Sequence, residues 1–260
     1  MNSIKELFND VRTFFWFLSR GPSFYPSLLE YLSRIFKKNY DSDSHASVER
    51  EWCRKKSISV SDLFKKLSLD FQDNIALSEE YVNEIQRLID SSDADFGGKG
   101  HINLLFNLSE AINAANCVET GVAYGWSSQA LLKSIVKRGG KLVSVDMPMI
   151  GQNDYHLIGC AVSKNFKDSW KLLREPDKNG LIKAINLFSD KLDLIHYDSD
   201  KSYYGRVWSQ PIIYNALRKD GLFVSDDIDD NSAFREFATN NNLDYSVVEF
   251  EGRYVGVIKK

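Results

Sequence analysis

The chain has 260 residues, of which 43% are hydrophobic and 27% charged, and its formal net charge is −3. This composition supplies enough apolar sequence for a large core and excludes a disordered chain. A slightly negative chain has no overall positive field for nucleic acid phosphates, so we expect a small-molecule partner and no nucleic acid. Its three cysteines lack C-x-x-C spacing, which indicates neither a disulfide framework nor a zinc site, and a cytoplasmic location is expected.

The first 90 residues have the pattern of amphipathic helices. Apolar residues recur three and four positions apart in four segments, at 4–19, 25–38, 60–68 and 78–92. The apolar run FFWFL at 14–18 is far shorter than the roughly 20 residues of a membrane span, so we expect no stable membrane insertion. We predict a helical N-terminal extension or cap over 1–90 and a second domain over 91–260. A homodimer through the N-terminal helices is a further expectation.

From residue 95 onwards, short apolar segments alternate with helical ones, which predicts a parallel sheet with helices on both faces. The last two predicted strands are separated by only three residues, too few for a crossover, so they must form an antiparallel hairpin. We therefore predict an α/β fold with a doubly wound, mostly parallel seven-stranded sheet and an antiparallel last strand. The predicted strands span 117–120, 141–146, 170–173, 192–197, 221–225, 244–250 and 254–259.

A glycine turn follows the first of these strands in the sequence CVETGVAYGWSS. Gly121 and Gly125 permit a tight turn and a close approach of the backbone to a ligand. The second strand ends in Asp146, where an acid can accept hydrogen bonds from ribose hydroxyls. Because ligands of open α/β sheets bind beyond the carboxyl ends of the strands, Glu119, the turn and Asp146 predict a nucleotide-type pocket. The glycine spacing differs from the G-x-G-x-x-G of dinucleotide-binding proteins.

The spacing E-x-G-x-x-x-G resembles the first motif of class I S-adenosylmethionine-dependent methyltransferases, a Rossmann-like family whose reversed final strand lies beside the fifth. The resemblance implies S-adenosylmethionine as cofactor, with Asp146 on its ribose. Asp177 would lie near the adenine, although it could equally be the N-cap of the next helix. The remaining cofactor contacts implied by the resemblance are Glu119, Gly121, Tyr124, Gly125 and Ser127.

Charged side chains follow two predicted strands at the point where each ends. Asp198 and Lys201 come after the fourth strand, and Asp226 and Asp227 come after the fifth. If these strands are neighbours, about 4.8 Å apart, the acids face each other. Two carboxylates about 4 Å apart repel by roughly 4 kcal/mol at an effective dielectric constant of 20. A hard cation with oxygen ligands removes that cost, so we predict Mg²⁺, Mn²⁺ or Ca²⁺ bound by Asp198, Asp226 and Asp227.

This constellation resembles the metal-dependent O-methyltransferases related to the catechol and caffeoyl-coenzyme A enzymes, although Asp227 stands where their best-known members have Asn. The segments HYDSDKSYY and SDDIDDNSAF are also similar to bacterial small-molecule methyltransferases that read HDSDHSY and SDDI..NSAF. The resemblance implies an O-methyltransferase acting on a small hydroxylated molecule such as a sugar or secondary metabolite. Lys201 would act on the substrate hydroxyl and Asp198 would hold the metal beside it.

Several alternatives stay open at this stage. Lys201 could be a salt-bridge partner of Asp198 or Asp200, with the aspartates as helix caps, and His196 is interpreted as a packed core histidine. The connection over 148–166 is interpreted as a lid. A nicotinamide-linked oxidoreductase or a non-catalytic nucleotide-binding protein would use the same fold.

Overall fold

A computed structural model describes residues 2–34, 36–148 and 155–260 of the chain. The helices are α1 (Asn2–Ser19), α2 (Tyr25–Arg34), α3 (Asp43–Lys56), α4 (Val60–Lys66), α5 (Glu79–Ile89), α6 (Ile102–Ala111), α7 (Trp126–Ile135), α8 (Asp177–Asn186), α9 (Tyr203–Ala216) and α10 (Ala233–Asn240). The strands are β1 (Ser57–Ile58), β2 (Asn116–Thr120), β3 (Lys141–Val145), β4 (Trp170–Leu173), β5 (Leu192–Tyr197), β6 (Leu217–Ser225), β7 (Tyr245–Phe250) and β8 (Arg253–Lys259). The predicted lid lies partly outside the described residues, which leave out 149–154.

The strands form one sheet in the order β1-β7-β8-β6-β5-β2-β3-β4. Strands β2 to β6 run parallel to one another, whereas β8 is antiparallel to both β6 and β7. The hairpin predicted from the short spacing is confirmed, since Phe250 pairs with Arg253 across its turn. The predicted α/β class and mostly parallel sheet are also confirmed. The eighth strand, β1, was missed because two residues are too few to show a period.

Helices cover both faces of the sheet, as the doubly wound prediction requires. Neighbouring residues of a strand point to opposite faces, so Val118 and Cys117 enter different apolar layers. One layer joins Val118 to α8, α9 and α10, and the other joins Cys117 to α4, α6 and α7. Burial on both faces explains why apolar residues of β5 point to both sides of the sheet. The sheet is therefore a rigid frame whose strand ends hold the side chains that follow them.

The segment before residue 91 contributes to this frame. Ser57 and Ile58 pair with β7, and Phe64 of α4 is fully buried in the apolar layer that contains Cys117. Helices α1 and α2 form a smaller apolar cluster with Met147, just beyond β3. The division at residue 90 and the homodimer stay predictions. Among the described residues, no helix is both long and apolar enough to cross a membrane.

Candidate active site

The carboxyl ends of β2, β5 and β6 meet at a cavity of about 280 Å³. The glycine turn after β2 forms one side of the cavity, and acids and a lysine from the loops after β5 and β6 form another. Its lining includes Gly121, Ser127, His196, Asp198, Lys201, Asp226 and Asp227. This junction is where ligands of open α/β sheets bind, because neighbouring loops diverge there.

The glycine turn lies directly against the end of β5. Gly121 has a φ of +81°, and an added Cβ would lie 2.7 Å from the carbonyl carbon of Asp198. Gly125 has a φ of +88°, and an added Cβ there would lie 2.9 Å from the Cα of Gly159. Both positions therefore require glycine for conformation and for space. Ser127, in the first turn of α7, lines the cavity, but Gly125 does not.

Glu119 is fully buried and does not line the cavity. Its carboxylate accepts hydrogen bonds from the hydroxyls of Ser128 and Ser144, the latter at 2.8 Å. The other carboxylate oxygen lies 3.4 Å from Nδ1 of His196. The structure therefore places Glu119 behind the cavity wall, where it links α7, β3 and β5.

Asp146, the acid predicted to hold a ribose, also lies behind the lining. It accepts a hydrogen bond from the guanidinium of Arg174. Burial raises the pKa of Asp146 to about 6, although Arg174 and the backbone N–H of Val122 favour its charged form. The Asp146 carboxylate is therefore already hydrogen-bonded to an arginine of the same chain.

Two further predicted cofactor residues lie away from this cavity. The Tyr124 hydroxyl donates to the carbonyl of Ala94 at 2.6 Å and accepts from the N–H of Phe96 at 3.2 Å, so it holds the segment before α6. Asp177 is the first residue of α8, whose N-cap is Pro176, and it accepts a hydrogen bond from Ser199. The N-cap alternative for Asp177 was therefore wrong. Burial raises its pKa to about 6.

His196, Asp198 and Asp226 form a compact cluster in the cavity. One ligand atom from each lies within 4.8 Å of the other two, and Nε2 of His196 lies 3.5 Å from Asp226 Oδ2. The core interpretation of His196 was right about burial, since only 1% is exposed, but it missed this placement. A signal was present, because residues two apart on a strand share a face and His196 precedes Asp198 by two.

Asp227 lines the same cavity but is held by two cations. Its carboxylate accepts hydrogen bonds from Lys201 and, at 2.8 Å, from Nε of Arg253. Burial opposes its charge, but Lys201 and Arg253 outweigh that effect and lower the pKa of Asp227. The three predicted metal ligands thus share one cavity, while the compact cluster contains His196 in place of Asp227.

Lys201 forms ion pairs with two acids, at 3.0 Å from Asp198 Oδ1 and closer to Asp227. Burial disfavours its charge, but the two carboxylates outweigh burial and raise the pKa of Lys201. The lysine is therefore protonated in this arrangement. The salt bridge of the alternative interpretation is therefore present, but its helix-cap part is wrong, because the N-caps of α9 and α10 are Ser202 and Ser232.

The His196 cluster fits a divalent cation by its donor set of two carboxylates and an imidazole. Nε2 of His196 is buried and makes no hydrogen bond, since Asp226 Oδ2 lies 3.5 Å away, whereas Asp198 Oδ1 is already paired with Lys201 at 3.0 Å. Carboxylate repulsion alone does not require the ion, however. Burial disfavours charge on His196, but Asp226 and Glu119 raise its pKa to about 10, so with Lys201 and Arg253 it neutralises the acids.

Comparison with known families identifies the domain that carries this site. Residues 118–228, from β2 to just beyond the acids after β6, match the family model described as a methyltransferase domain. The matched segment, which is less than half of the chain, is similar to a methyltransferase domain. The resemblance predicted from the glycine turn and the acids is confirmed, and with it the prediction of an enzyme of the S-adenosylmethionine-dependent class. No curated protein sequence matches the chain significantly.

Solved methyltransferase structures share the fold at low sequence identity. An O-methyltransferase from Bacillus cereus in complex with SAH is 14% identical, with a TM-score of 0.58, over 80% of this chain and 100% of that one. The SAH-bound methyltransferase PaMTH1 from Podospora anserina is 14% identical, with a TM-score of 0.53, over 84% and 97%. The O-methyltransferase TomG from Streptomyces achromogenes, involved in tomaymycin synthesis and in complex with SAM, is 12% identical, with a TM-score of 0.52, over 77% and 96%.

Proposed function

We propose that the methyltransferase domain transfers a methyl group from S-adenosylmethionine to a hydroxyl of a small molecule, with the assistance of a divalent metal such as Mg²⁺ or Mn²⁺. One observation carries the proposal. The glycine turn at Gly121 and the cluster of His196, Asp198 and Asp226 line the same cavity of about 280 Å³. The B. cereus and S. achromogenes O-methyltransferases, which bind SAH and SAM, support the choice of cofactor and reaction.

The glycine side of the cavity is the proposed cofactor side. Gly121 and Ser127 line it, and the absence of a Cβ at Gly121 lets the backbone approach a ligand closely. S-adenosylmethionine supplies an electrophilic methyl group on a sulfonium. Glu119 supports this side from behind by holding Ser128 in the first turn of α7. Asp146 would accept hydrogen bonds from the ribose hydroxyls of the bound cofactor once its bond to Arg174 is broken.

The acid side is the proposed metal and acceptor side. Asp198 and Asp226 would hold the metal, and Nε2 of His196 would become a third donor on losing the proton that Asp226 and Glu119 stabilise. A bound divalent cation lowers the pKa of a hydroxyl that it contacts. Lys201 can accept the acceptor's proton only after it has lost its own, and both Asp198 and Asp227 oppose that loss by raising its pKa. While it is protonated, Lys201 pairs with Asp227.

The experiment is a transfer assay with methyl-labelled S-adenosylmethionine against a panel of catechols, simple phenols and hydroxylated sugars. It compares the chelator-treated protein with and without added Mn²⁺, and the variants D198N and D226N with wild type. Asp244→Asn, at an exposed acid outside the cavity, is the matched control. We expect each active-site variant to lose roughly 100-fold in rate and Mn²⁺ affinity while SAH affinity stays within about threefold.

Different outcomes contradict different parts of the proposal. Absence of SAH binding in isothermal titration would remove the methyltransferase chemistry, and a thermal shift with NADH instead would favour the oxidoreductase. Full turnover in the presence of chelator would remove the metal. SAH binding without transfer to any acceptor would favour a non-catalytic protein. Cytoplasmic location stays a prediction.

A further inference from the structure

Arg206 is a fully buried arginine in the first turn of α9. Three physical effects oppose a cation at this position. Burial removes its hydration, no carboxylate among the described residues forms an ion pair with it, and the N-terminal end of a helix carries a partial positive charge. A charge kept in such a place needs a compensating set of acceptors.

The acceptors are four oxygen atoms, one on the last residue of β6 and three on the loops that follow β5 and β6. Nε of Arg206 donates to the carbonyl of Lys201 at 3.1 Å, and Nη1 donates to the hydroxyl of Ser225 at 2.9 Å. Nη2 donates to two carbonyls at once, at 3.0 Å to Asp226 and 2.9 Å to Asp227. A planar guanidinium with several fixed donors suits this task, whereas a single ammonium does not.

These bonds hold an unusual backbone conformation in place. Asp227 has a φ of +51°, in the left-handed region that residues with a side chain rarely adopt. Arg206 pins the carbonyls on both sides of that turn, at Asp226 and Asp227. The carbonyl of Lys201 receives a second hydrogen bond, at 2.9 Å, from the amide of Asn231. The guanidinium therefore fixes the loop of Lys201 relative to the loop of the acids.

We propose that Arg206 is a positioning residue that sets the spacing of the metal-binding acids and keeps Lys201 against Asp227. The inference rests on the proposed function, because it assigns a purpose to the spacing of Asp198 and Asp226. Arg206 itself does not line the cavity, so it acts through the backbone that it holds. Its removal lets the two loops drift apart while the glycine turn and α7 stay in place.

The test measures Mn²⁺ binding and SAH binding separately, with the full chain free of chelator. The variants are R206M, whose side chain fills similar space but donates no hydrogen bond, and R206K, which keeps the positive charge but has a single donor nitrogen. Arg138→Met is the matched control, because Arg138 also bonds two carbonyls, those of Ala114 and Ser109, but outside the cavity. We expect R206M to lose roughly 10- to 100-fold in Mn²⁺ affinity, R206K to lose less, and both to keep SAH affinity within about threefold.

A second variant covers the case in which R206M does not fold. Ser225→Ala removes only the acceptor of Nη1, and we expect a smaller loss of Mn²⁺ affinity in the same direction. Equal Mn²⁺ affinity in wild type, R206K and S225A overturns the inference and leaves the proposed function intact. An equal loss in R138M overturns it too, because general destabilisation would then explain the effect. If wild type binds SAH but no Mn²⁺, the metal part of the proposed function and this inference both fail.

Discussion

Replacing Gly121 with alanine tests how closely the cofactor turn must approach the end of β5. The added methyl group would lie 2.7 Å from the carbonyl carbon of Asp198 and 3.1 Å from the N–H nitrogen of Ser199. Real Cβ atoms do not come so close to backbone atoms, so either the glycine turn or the segment at Asp198 must move by about 1 Å. The substitution therefore pushes the glycine turn and the acid loop apart.

Two costs add up at this position. Alanine at a φ of +81° costs roughly 1–2 kcal/mol, and forcing an extra methyl into packed backbone costs roughly 1–3 kcal/mol. We expect the free energy of unfolding of G121A to fall by about 2–5 kcal/mol. Since a misplacement of about 1 Å can cost roughly 100-fold in rate, methyl transfer should fall more than stability alone would explain.

Gly139→Ala is the matched control because Gly139 has a φ of +68° and nothing within 4 Å of an added Cβ. The G139A substitution should therefore lower the free energy of unfolding only by the cost of placing alanine at a positive φ, about 1–2 kcal/mol. Urea unfolding of both variants gives the difference that belongs to the close approach, and isothermal titration with SAH gives its effect on the site. If G121A and G139A lose the same stability and bind SAH equally well, the close approach has no energetic weight and the reasoning is refuted.

Three further outcomes are expected. Because folding raises the pKa of Asp177 from 3.8 to about 6, its contribution to stability is complete below pH 4 and is lost as the pH rises through 6. The free energy of unfolding of wild type minus that of D177N should fall by about 2 kcal/mol between pH 4 and 7, and a difference that stays constant over this range in urea unfolding would contradict the prediction. Tyr124→Phe leaves the Ala94 carbonyl and the Phe96 N–H without their hydroxyl partner and should cost about 1–3 kcal/mol in urea, whereas an unchanged midpoint would show that these bonds do not matter. Lys201→Met removes a cation that competes for Asp198 and Asp227, so Mn²⁺ should bind roughly three- to tenfold tighter while transfer falls. Weaker Mn²⁺ binding would mean that the lysine supports the metal site.

The sheet was largely predictable from the chain. The bounds of the strands at 192–197 and 170–173 were predicted to the residue. The hairpin that joins β7 and β8 followed from the three residues between the predicted strands. These features depend on the alternation of apolar residues and on chain length, which are properties of neighbouring residues. The start of β6 was placed four residues late, because Arg218, Lys219 and Asp220 carry no apolar signal although they extend the strand.

The sequence by itself also determined which acids would meet, since parallel strands bring Asp198 and Asp226 to one edge of the sheet. Only the tertiary structure decided which neighbours each would have. The register that pairs His196 with Val224 and the turn at Asp227 bring His196 to Asp226 and turn Asp227 toward Lys201. Register and turn arise from contacts between residues far apart in the chain, such as the bonds from Arg206 to the 225–227 loop, and no local pattern encodes such contacts.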